Sequence, residues 1–330
     1  MNKRRKLIVA LGATALVTPF GSFAQQQGKV WRIGFLWESE QSDSAYVQRI
    51  DAFNAGMREL GYAEGKDYAI EHRSAQNDLA RLPALAAELI ALKVNVIVPA
   101  GTSSAVAASK ATREIPILIA IIGDPIGSGL AATLQRPGAN VTGLTNLASE
   151  LFTKRLDLLR QILPDMRRVG FLYNPDNAAN VLGLKQFELG CTKLGFQSIR
   201  ARVRKADEIA STFNALQREK AQGIIVTNAS TNIAWRASLI EHAAKHRLPA
   251  VYGQNLFADS GGLLSYAANY PDLYRRTAAY ADKIFKGAKP GDLPIEQPTK
   301  FELIANLKTA KALGIKIPNT ILLQATKVIE

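Results

Sequence analysis

One short apolar sequence occurs twice in this chain. Residues 32–37 read Arg-Ile-Gly-Phe-Leu-Trp, and residues 168–173 read Arg-Val-Gly-Phe-Leu-Tyr, 136 positions later. Two further pairs of segments recur at nearly the same distance, 60–62 with 194–196 and 115–118 with 248–251. Units of this length are too large for a solenoid repeat. The sequence therefore predicts two similarly folded lobes, with a cleft between them of the kind in which small molecules usually bind.

Each unit alternates short apolar runs with amphipathic stretches. In the first unit we predict strands at 31–37, 67–72, 94–98 and 116–122, with helices at 44–60, 79–92 and from 103 onward. In the second unit we predict strands at 169–173, 198–203, 223–227 and 250–252, with helices at 178–194, 207–220 and 231–246. This alternation is typical of a parallel sheet covered by helices on both faces. The predicted fold class is α/β, with two similar doubly wound parallel-sheet lobes.

The first 24 residues have the organisation of a signal peptide. Basic residues 3–6 precede an apolar stretch from Leu7 to Val17, and a small-residue cleavage site follows at 22–24. The apolar stretch is shorter than the roughly 20 residues that span a bilayer. We expect cleavage after Ala24 and a periplasmic location, with an uncleaved anchor as the alternative. Arg4 and Arg5 leave both the general and the twin-arginine export routes open.

The chain is basic, with 41 Lys and Arg against 28 Asp and Glu. Removal of the signal peptide takes away four basic residues and leaves a net charge of +9. The remaining basic residues are mixed with acids, as at 81–88 and 218–220, which favours a solvated surface over a nucleic-acid site. Cys191 is the only cysteine, so no internal disulfide is possible and no cysteine stands at the mature N-terminus for a lipid anchor.

Familiar enzyme motifs are absent from the sequence. The segments 37–39 and 173–175 follow the two first strands where a dinucleotide-binding fold would place its glycine-rich turn. His242 and His246 have a metal-compatible spacing, but Ala243 occupies the position where a zinc protease would carry its glutamate. We therefore predict no catalytic residues, no metal site and no cofactor.

Polar loops follow the predicted strands at the sheet edge where open α/β folds bind ligands. Thr102 and Ser103 open a helix after the third strand, and the repeat places Asn228 and Ser230 in the corresponding loop. Free backbone N–H groups and hydroxyls at a helix start can bind an anion such as a carboxylate. The same residues would also serve as ordinary helix caps. Asp124, after the fourth strand, suits either a ligand amine or a turn.

Several longer segments carry a family resemblance. They read GAKPGDLPIEQPTKFEL at 287–303, NLKTAKALG at 306–314, RPGANVTGL at 136–144 and GGLLSY at 261–266. Together they resemble the ABC-transporter substrate-binding protein family that includes tryptophan- and tyrosine-binding members. The resemblance covers essentially the whole mature chain. It implies a type I periplasmic-binding-protein fold whose lobes are joined by a multi-crossing hinge, and a receptor that serves a membrane permease driven by a separate ATPase subunit.

The hinge crossings divide the predicted lobes. Lobe 1 is expected to contain residues 25–145 and 265–290, and lobe 2 is expected to contain 146–264 and 291–330. Asn146 would then lie at the hinge. Such discontinuous lobes suit closure around a ligand.

The resulting functional prediction is an exported, monomeric solute receptor that binds an aromatic amino acid or a related carboxylate. The resemblance implies an acidic partner for a ligand amine, and the loop at Asn228 has none, so Glu38 or Asp124 would have to supply it. An exported hydrolase or isomerase and a ligand-presenting signalling receptor remain the alternatives. The predicted ligand-binding residues are Trp37, Glu38, Thr102, Ser103, Asp124, Asn146, Asn174, Asn228, Ser230, Tyr252 and Gln254.

Overall fold

The computed structural model describes residues 30–148 and 150–330, so the predicted signal peptide lies outside the described residues. The strands are β1 (Trp31–Trp37), β2 (Tyr68–Ser74), β3 (Val96–Pro99), β4 (Ile117–Ile122), β5 (Val141–Thr145), β6 (Arg168–Tyr173), β7 (Gln197–Arg202), β8 (Gly223–Val226), β9 (Ala250–Tyr252), β10 (Leu264–Ala268), β11 (Ile295–Glu296), β12 (Phe301–Asn306) and β13 (Lys327–Ile329). The helices are α1 (Ser44–Glu59), α2 (Leu82–Ala91), α3 (Thr102–Ala111), α4 (Phe152–Ile162), α5 (Ala178–Leu194), α6 (Ile209–Arg218), α7 (Ser230–Ala234), α8 (Arg236–Lys245), α9 (Leu256–Asp259), α10 (Tyr270–Phe285), α11 (Leu307–Leu313) and α12 (Asn319–Leu322). None of the helices within these described ranges is long and apolar enough to cross a membrane.

The strands form two sheets with the same core topology. The first sheet has the order β11-β5-β4-β3-β1-β2, and the second has the order β13-β12-β10-β9-β8-β6-β7. All pairs in the first sheet are parallel, and in the second only the pair β10–β12 is antiparallel. Five strands of each sheet thus repeat one doubly wound order. The prediction of two similar α/β lobes is confirmed.

The repeated glycine explains why the first-strand sequence recurs. A Cβ atom on Gly34 of β1 would lie 2.9 Å from Cδ2 of Leu89, and one on Gly170 of β6 would lie 2.7 Å from Cδ2 of Leu216. In each lobe, a leucine from the second helix therefore packs directly on the backbone of the central strand. The sequence repeat reflects one helix-on-sheet contact that is used twice.

The chain passes three times between the lobes. After β5 it enters the second lobe at α4, after β10 it returns to the first lobe at α10, and after β11 it joins the second sheet at β12. Helix α10 belongs to the first lobe because Leu273, Tyr274 and Phe285 pack into the same core as Phe53 of α1.

Two short segments do not belong to the sheet that the predicted lobe boundaries assigned them to. Each is paired in the sheet of the other lobe. Residues 265–268 belong to β10, which continues the second sheet because it pairs with β9 and β12. Residues 295–296 form β11, which pairs with β5 at the edge of the first sheet. Both crossings therefore come a few residues later than the glycine-rich segments indicated, because strand pairing with distant partners decides where each segment lies.

Candidate functional site between the lobes

The carboxyl ends of the two sheets meet at a cavity between the lobes. Glu38 after β1 and Thr102 at the start of α3 line it from the first lobe, and Asn228 and Ser230 line it from the second. The loops that the repeat relates to each other thus border one cavity. Its free volume is about 20 Å³, little more than a single water molecule needs. The lobes are therefore closed on each other in this structure.

Glu38 is buried against the start of α3. The residue is 2% exposed, and its Oε1 accepts a hydrogen bond from the backbone N–H of Ser104 at 3.0 Å. The Ser104 hydroxyl lies 3.3 Å from the same oxygen and 2.9 Å from the carbonyl oxygen of Gly101, so it can donate to either. A Cβ atom on Gly101 would lie 2.4 Å from Oε1, so glycine is what allows this approach. The α3 N-terminus, which the sequence analysis offered to a ligand carboxylate, is thus occupied by a carboxylate of the protein itself.

Arg49 brings a buried positive charge to the same cavity. It lies on α1 and is 2% exposed. Its guanidinium carbon lies 5.2 Å from the ring centroids of both Trp37 and Tyr270, within the range of cation–π attraction. Nη2 is buried and has no hydrogen-bond partner. A buried cationic N–H without a partner is costly, so this position is suited to an anionic group of a ligand.

The second-lobe wall of the cavity carries no charged side chain. Asn177, Asn180, Asn228 and Ser230 all line it. The Oδ1 atom of Asn180 accepts from the Thr227 hydroxyl at 2.9 Å, which fixes the orientation of this amide. The cavity therefore has its two charged groups on the first lobe and neutral donors and acceptors on the second.

Tyr270 connects the lobes beside the cavity. Its hydroxyl oxygen accepts hydrogen bonds from Nδ2 of Asn146 at 2.9 Å and from Nδ2 of Asn228 at 2.8 Å. Asn146 also donates to the carbonyl of Ile121 at 2.9 Å. Burial raises the pKa of Tyr270, against the opposing effects of Asn228, Arg49, Arg155 and Asn146, so the hydroxyl stays protonated at neutral pH. Asn146, at the first crossing, and Asn228, in the second lobe, are thus linked through the Tyr270 hydroxyl.

A second buried cation, Arg155, forms hydrogen bonds near two of the crossings between the lobes. Its Nε donates to the carbonyl of Tyr266 at 2.9 Å and Nη1 donates to the carbonyl of Ala148 at 3.3 Å. Burial lowers the pKa of Arg155 to about 10, which leaves it charged at neutral pH. The residue therefore joins the first crossing, at Ala148, to strand β10 just before the second crossing.

Comparison with known proteins assigns the family. Residues 41–329 match the family described as ABC transporter substrate binding protein. The chain belongs to this family. Its members bind solutes and do not transform them, so this chain is a substrate-binding protein and not an enzyme. The resemblance found in the sequence is confirmed.

Three relatives of this substrate-binding protein are informative. A tyrosine-binding protein from Clostridioides difficile (strain R20291) is 24% identical over 264 residues, which cover 80% of this chain and 76% of the relative. An ABC domain in complex with L-Trp from Streptococcus pneumonia is 26% identical, with a TM-score of 0.84, and the match covers 91% of this chain and 100% of the other. A ligand-free, open structure of a substrate binding protein with adhesive properties from Clostridium difficile is also 26% identical, with a TM-score of 0.66 over 91% and 99% of the two chains.

The predicted aromatic contacts lie in the cores of this substrate-binding protein. Trp37 is 1% exposed, packs edge-on against Tyr46 and donates from Nε1 to Ser39 Oγ. Tyr252 is 1% exposed and stacks on Phe257 with ring centroids 4.5 Å apart. Neither residue is among those that line the cavity.

Four predicted polar residues also lie away from the cavity wall. Asp124 caps a turn by accepting from the backbone N–H of Gly127 at 2.7 Å. Ser103 has a buried hydroxyl without a hydrogen-bond partner. Asn174 stabilises the end of β6, since its Oδ1 accepts from the N–H of Asp176 at 2.9 Å. Gln254 lines a different cavity.

Arg49 and Tyr270 are two residues at the site that were not predicted from the sequence. A signal for Arg49 was present, because Tyr46, Arg49, Phe53 and Met57 share one face of α1 and all are buried. An arginine within an otherwise apolar helical face indicates a buried charge with a specific role. Nothing comparable marks Tyr270, which depends on the position of the second crossing. Within residues 30–148 and 150–330, no group of three or more His, Cys, Asp or Glu side chains could hold a metal ion.

Proposed function

We propose that this substrate-binding protein is the exported receptor of an ABC importer and that its inter-lobe cleft captures a free α-amino acid. One observation carries the proposal: Glu38 and Arg49, of opposite charge and each 2% exposed, line the same cavity. A zwitterion supplies one complementary group to each. The ligand carboxylate binds the Arg49 guanidinium, and the ligand ammonium binds the Glu38 carboxylate, whose Oε1 is already fixed by Ser104.

An aromatic amino acid is the proposed ligand. The apolar side chains of Ile121, Phe152 and Ile233 line the cavity of about 20 Å³. An aromatic side chain needs more room, so we place it past Arg49, in the adjoining inter-lobe space of about 270 Å³. The relatives support this choice, since one is named a tyrosine-binding protein and another is in complex with L-Trp. Asn228 and Ser230 then supply neutral hydrogen bonds from the second lobe.

Hinge closure is the proposed route of capture. At equal sequence identity and equal coverage, the TM-score is 0.84 against the L-Trp complex and 0.66 against the ligand-free, open relative. This difference supports a closed arrangement of the lobes in the present structure. Two links between the lobes hold it: Tyr270 accepts from Asn228, and Arg236 of α8 donates to Asp43 (3.3 Å) and Ser44 (3.2 Å) at the start of α1.

The closed receptor is proposed to act in the periplasm as a monomer, after removal of residues 1–24. It delivers its solute to a membrane permease whose ATPase subunit supplies the energy. The receptor itself contributes recognition and a change of shape that the permease can read.

Mass spectrometry of the ligand released by denaturing purified protein tests the proposal. We expect an aromatic amino acid, and we expect calorimetry with L-tyrosine or L-tryptophan to give one site per chain in protein refolded without ligand. A released ligand of another class, such as a sugar, together with no binding of any standard amino acid, would contradict it.

A further inference from the structure

The end of the second lobe that lies opposite the cleft carries a concentration of positive charge. Strands β6, β7, β8 and β9 run parallel, so their amino ends share one edge of the sheet, away from the carboxyl edge at the cavity. Four short segments lead into these strands at that edge, namely 164–168, 193–197, 218–222 and 245–249. They contain seven basic and two acidic residues. We call this surface the basic end of lobe 2.

The equivalent end of the first lobe has no such excess. The segments that lead into β1, β2, β3 and β4 contain four basic and four acidic residues among the described part of the chain; they are 30–32, 59–68, 91–95 and 112–116. Helices end at this edge in both lobes, so the preference of helix carboxyl ends for positive charge acts on both. That preference therefore does not explain the excess in the second lobe.

Two charges are reversed between matching positions of the repeat. Glu59, at the end of α1, corresponds to Lys193 near the end of α5, because each directly precedes a Leu-Gly-aromatic segment. Glu114 corresponds to Arg247, because each directly precedes the repeated sequence that leads into β4 or β9. The second lobe thus carries a base where the first carries an acid, on a similar backbone.

The basic side chains of this end face solvent without acidic partners. The exposed ones are Arg167, Lys193, Arg218, Lys220, Lys245 and Arg247. None of these six belongs to an ion pair within residues 30–148 and 150–330. The four segments, all of them described, expose no large apolar side chain. Such a surface binds by charge alone, since it has no apolar group to insert into a membrane.

We propose that the basic end of lobe 2 binds the anionic surface of a phospholipid bilayer. Each basic residue near anionic lipid strengthens binding about fivefold, and salt screens the attraction. The choice of a bilayer over a nucleic acid rests on the proposed function, which places the receptor in the periplasm beside a membrane permease. The association concentrates the receptor at that membrane. It does not depend on which solute the cleft binds.

Vesicle flotation tests this surface, with the protein purified without residues 1–24. The vesicles are phosphatidylcholine with or without about 30% phosphatidylglycerol, in about 50 mM or about 500 mM NaCl. One triple variant removes charges from the basic end by Lys193→Gln, Lys220→Gly and Arg247→Gly. Lys220 and Arg247 have positive φ angles of 56° and 48°, which glycine adopts without strain.

The matched control removes three exposed charges from the same end of the first lobe, by Lys66→Gln, Lys93→Gly and Arg113→Gln. Lys93 also has a positive φ, of 54°. The two triple variants have the same net charge, so only the position of the lost charges differs. Melting temperatures show whether each variant is folded.

We expect the wild type to float with the anionic vesicles at low salt, and to float neither with pure phosphatidylcholine nor at high salt. The binding constant should fall on the order of 100-fold in the variant of the basic end and less than about threefold in the control. Absence of binding to anionic vesicles, binding that persists at high salt, or equal losses in the two variants would overturn the proposal. None of these results bears on the identity of the solute, so failure here is distinguishable from failure of the proposed function.

Discussion

At the scale of single residues, two buried charged side chains line the cleft, and they differ in how well the protein itself satisfies their hydrogen bonds. Glu38 is matched by the start of α3 and by Ser104, whereas Arg49 faces aromatic rings and keeps one N–H unpaired. A ligand anion therefore gains more at Arg49 than at the hydroxyls of Thr102 and Ser103. The sequence could not show this, because the position of Glu38 beneath Gly101 is a contact between residues far apart in the chain.

Replacement of Arg49 tests its role in binding. In Arg49→Met, we expect the affinity for the captured amino acid to fall by about 1.5–3 kcal/mol, the range for a hydrogen bond to a charged group. The melting temperature should stay the same or rise, because a buried charge without a full set of partners has been removed. Arg58→Met, on an exposed position of the same helix, is the control for calorimetry and thermal unfolding. Unchanged affinity in Arg49→Met would show that the carboxylate binds elsewhere.

Tyr270 and Tyr274 form a natural matched pair. Both are buried on α10, but the hydroxyl of Tyr270 accepts well-formed hydrogen bonds from Asn146 and Asn228, whereas the Tyr274 hydroxyl has only the Arg49 guanidinium near it and no hydrogen bond of good geometry. We expect Tyr270→Phe to lower the free energy of unfolding by about 1–3 kcal/mol, because the side-chain amides of buried Asn146 and half-buried Asn228 each lose an acceptor. Tyr274→Phe should be neutral or stabilising. Equal effects of the two substitutions in urea unfolding would contradict this assignment.

His72 should make stability depend on pH. Burial lowers the pKa of His72 below its usual value of 6.5, Glu64 and Glu71 oppose this effect and Arg73 adds to it. The unfolded chain therefore binds the proton more tightly than the folded one, so stability is full above pH 6.5 and falls as the pH drops through the unfolded and then the folded pKa. Melting temperatures at about pH 8 and about pH 5.5 should differ less in His72→Gln than in the wild type. If the melting temperatures of His72→Gln and the wild type changed equally with pH, a group other than His72 would be responsible.

At the scale of elements, the repeat makes the leucine–glycine contact the central packing feature of each lobe. A Cβ atom on Gly170 would approach Leu216 Cδ2 to 2.7 Å, and overpacking of this kind costs about 1–3 kcal/mol. We expect Gly170→Ala to be destabilising by this amount in chemical denaturation. In the double variant with Leu216→Ala, the combined cost should be less than the two single costs together, since the residues share one space. If the two single changes in unfolding free energy simply added, the close approach of residue 170 to Leu216 would not be the cause of the destabilisation.

The repeated elements were predictable from the sequence, whereas the segments that close each sheet were not. Strands β1–β4 and β6–β9 and the helices between them follow local periodicity, so their positions were predicted within a few residues. Strands β10 to β13 depend on partners far away in the chain, and β12 is antiparallel to β10. For the same reason, the sequence indicated the loops that meet at the cleft, including Glu38, Thr102, Asn228 and Ser230, but it did not indicate Arg49.

At the scale of the whole molecule, the proposed function depends on how firmly the two lobes stay closed. Arg236 of the second lobe bonds Asp43 and Ser44 of the first, and the Asp43 side chain is only 7% exposed. This contact lies at the start of α1, away from the hinge crossings. It therefore acts on the stability of the closed state and does not contact the bound solute.

Loss of this contact should accelerate release of the solute. Partly exposed ion pairs contribute about 0.2–1 kcal/mol, so Arg236→Gln should raise the dissociation rate by roughly 1.5- to 5-fold. Arg160→Gln breaks an ion pair within α4 and is the control that should leave the rate unchanged. Stopped-flow fluorescence measures both. Equal rates in Arg236→Gln and the wild type would show that the lobes are held closed by other contacts.

A crystal structure of the protein with L-tyrosine bound would show directly how the cleft holds its solute. We expect closed lobes, with the ligand between them, its carboxylate on the Arg49 guanidinium, its ammonium on Glu38, and hydrogen bonds from Asn228 or Ser230. A ligand that binds outside this cleft, that touches only one lobe, or that displaces Glu38 to place its carboxylate on the start of α3 would contradict it.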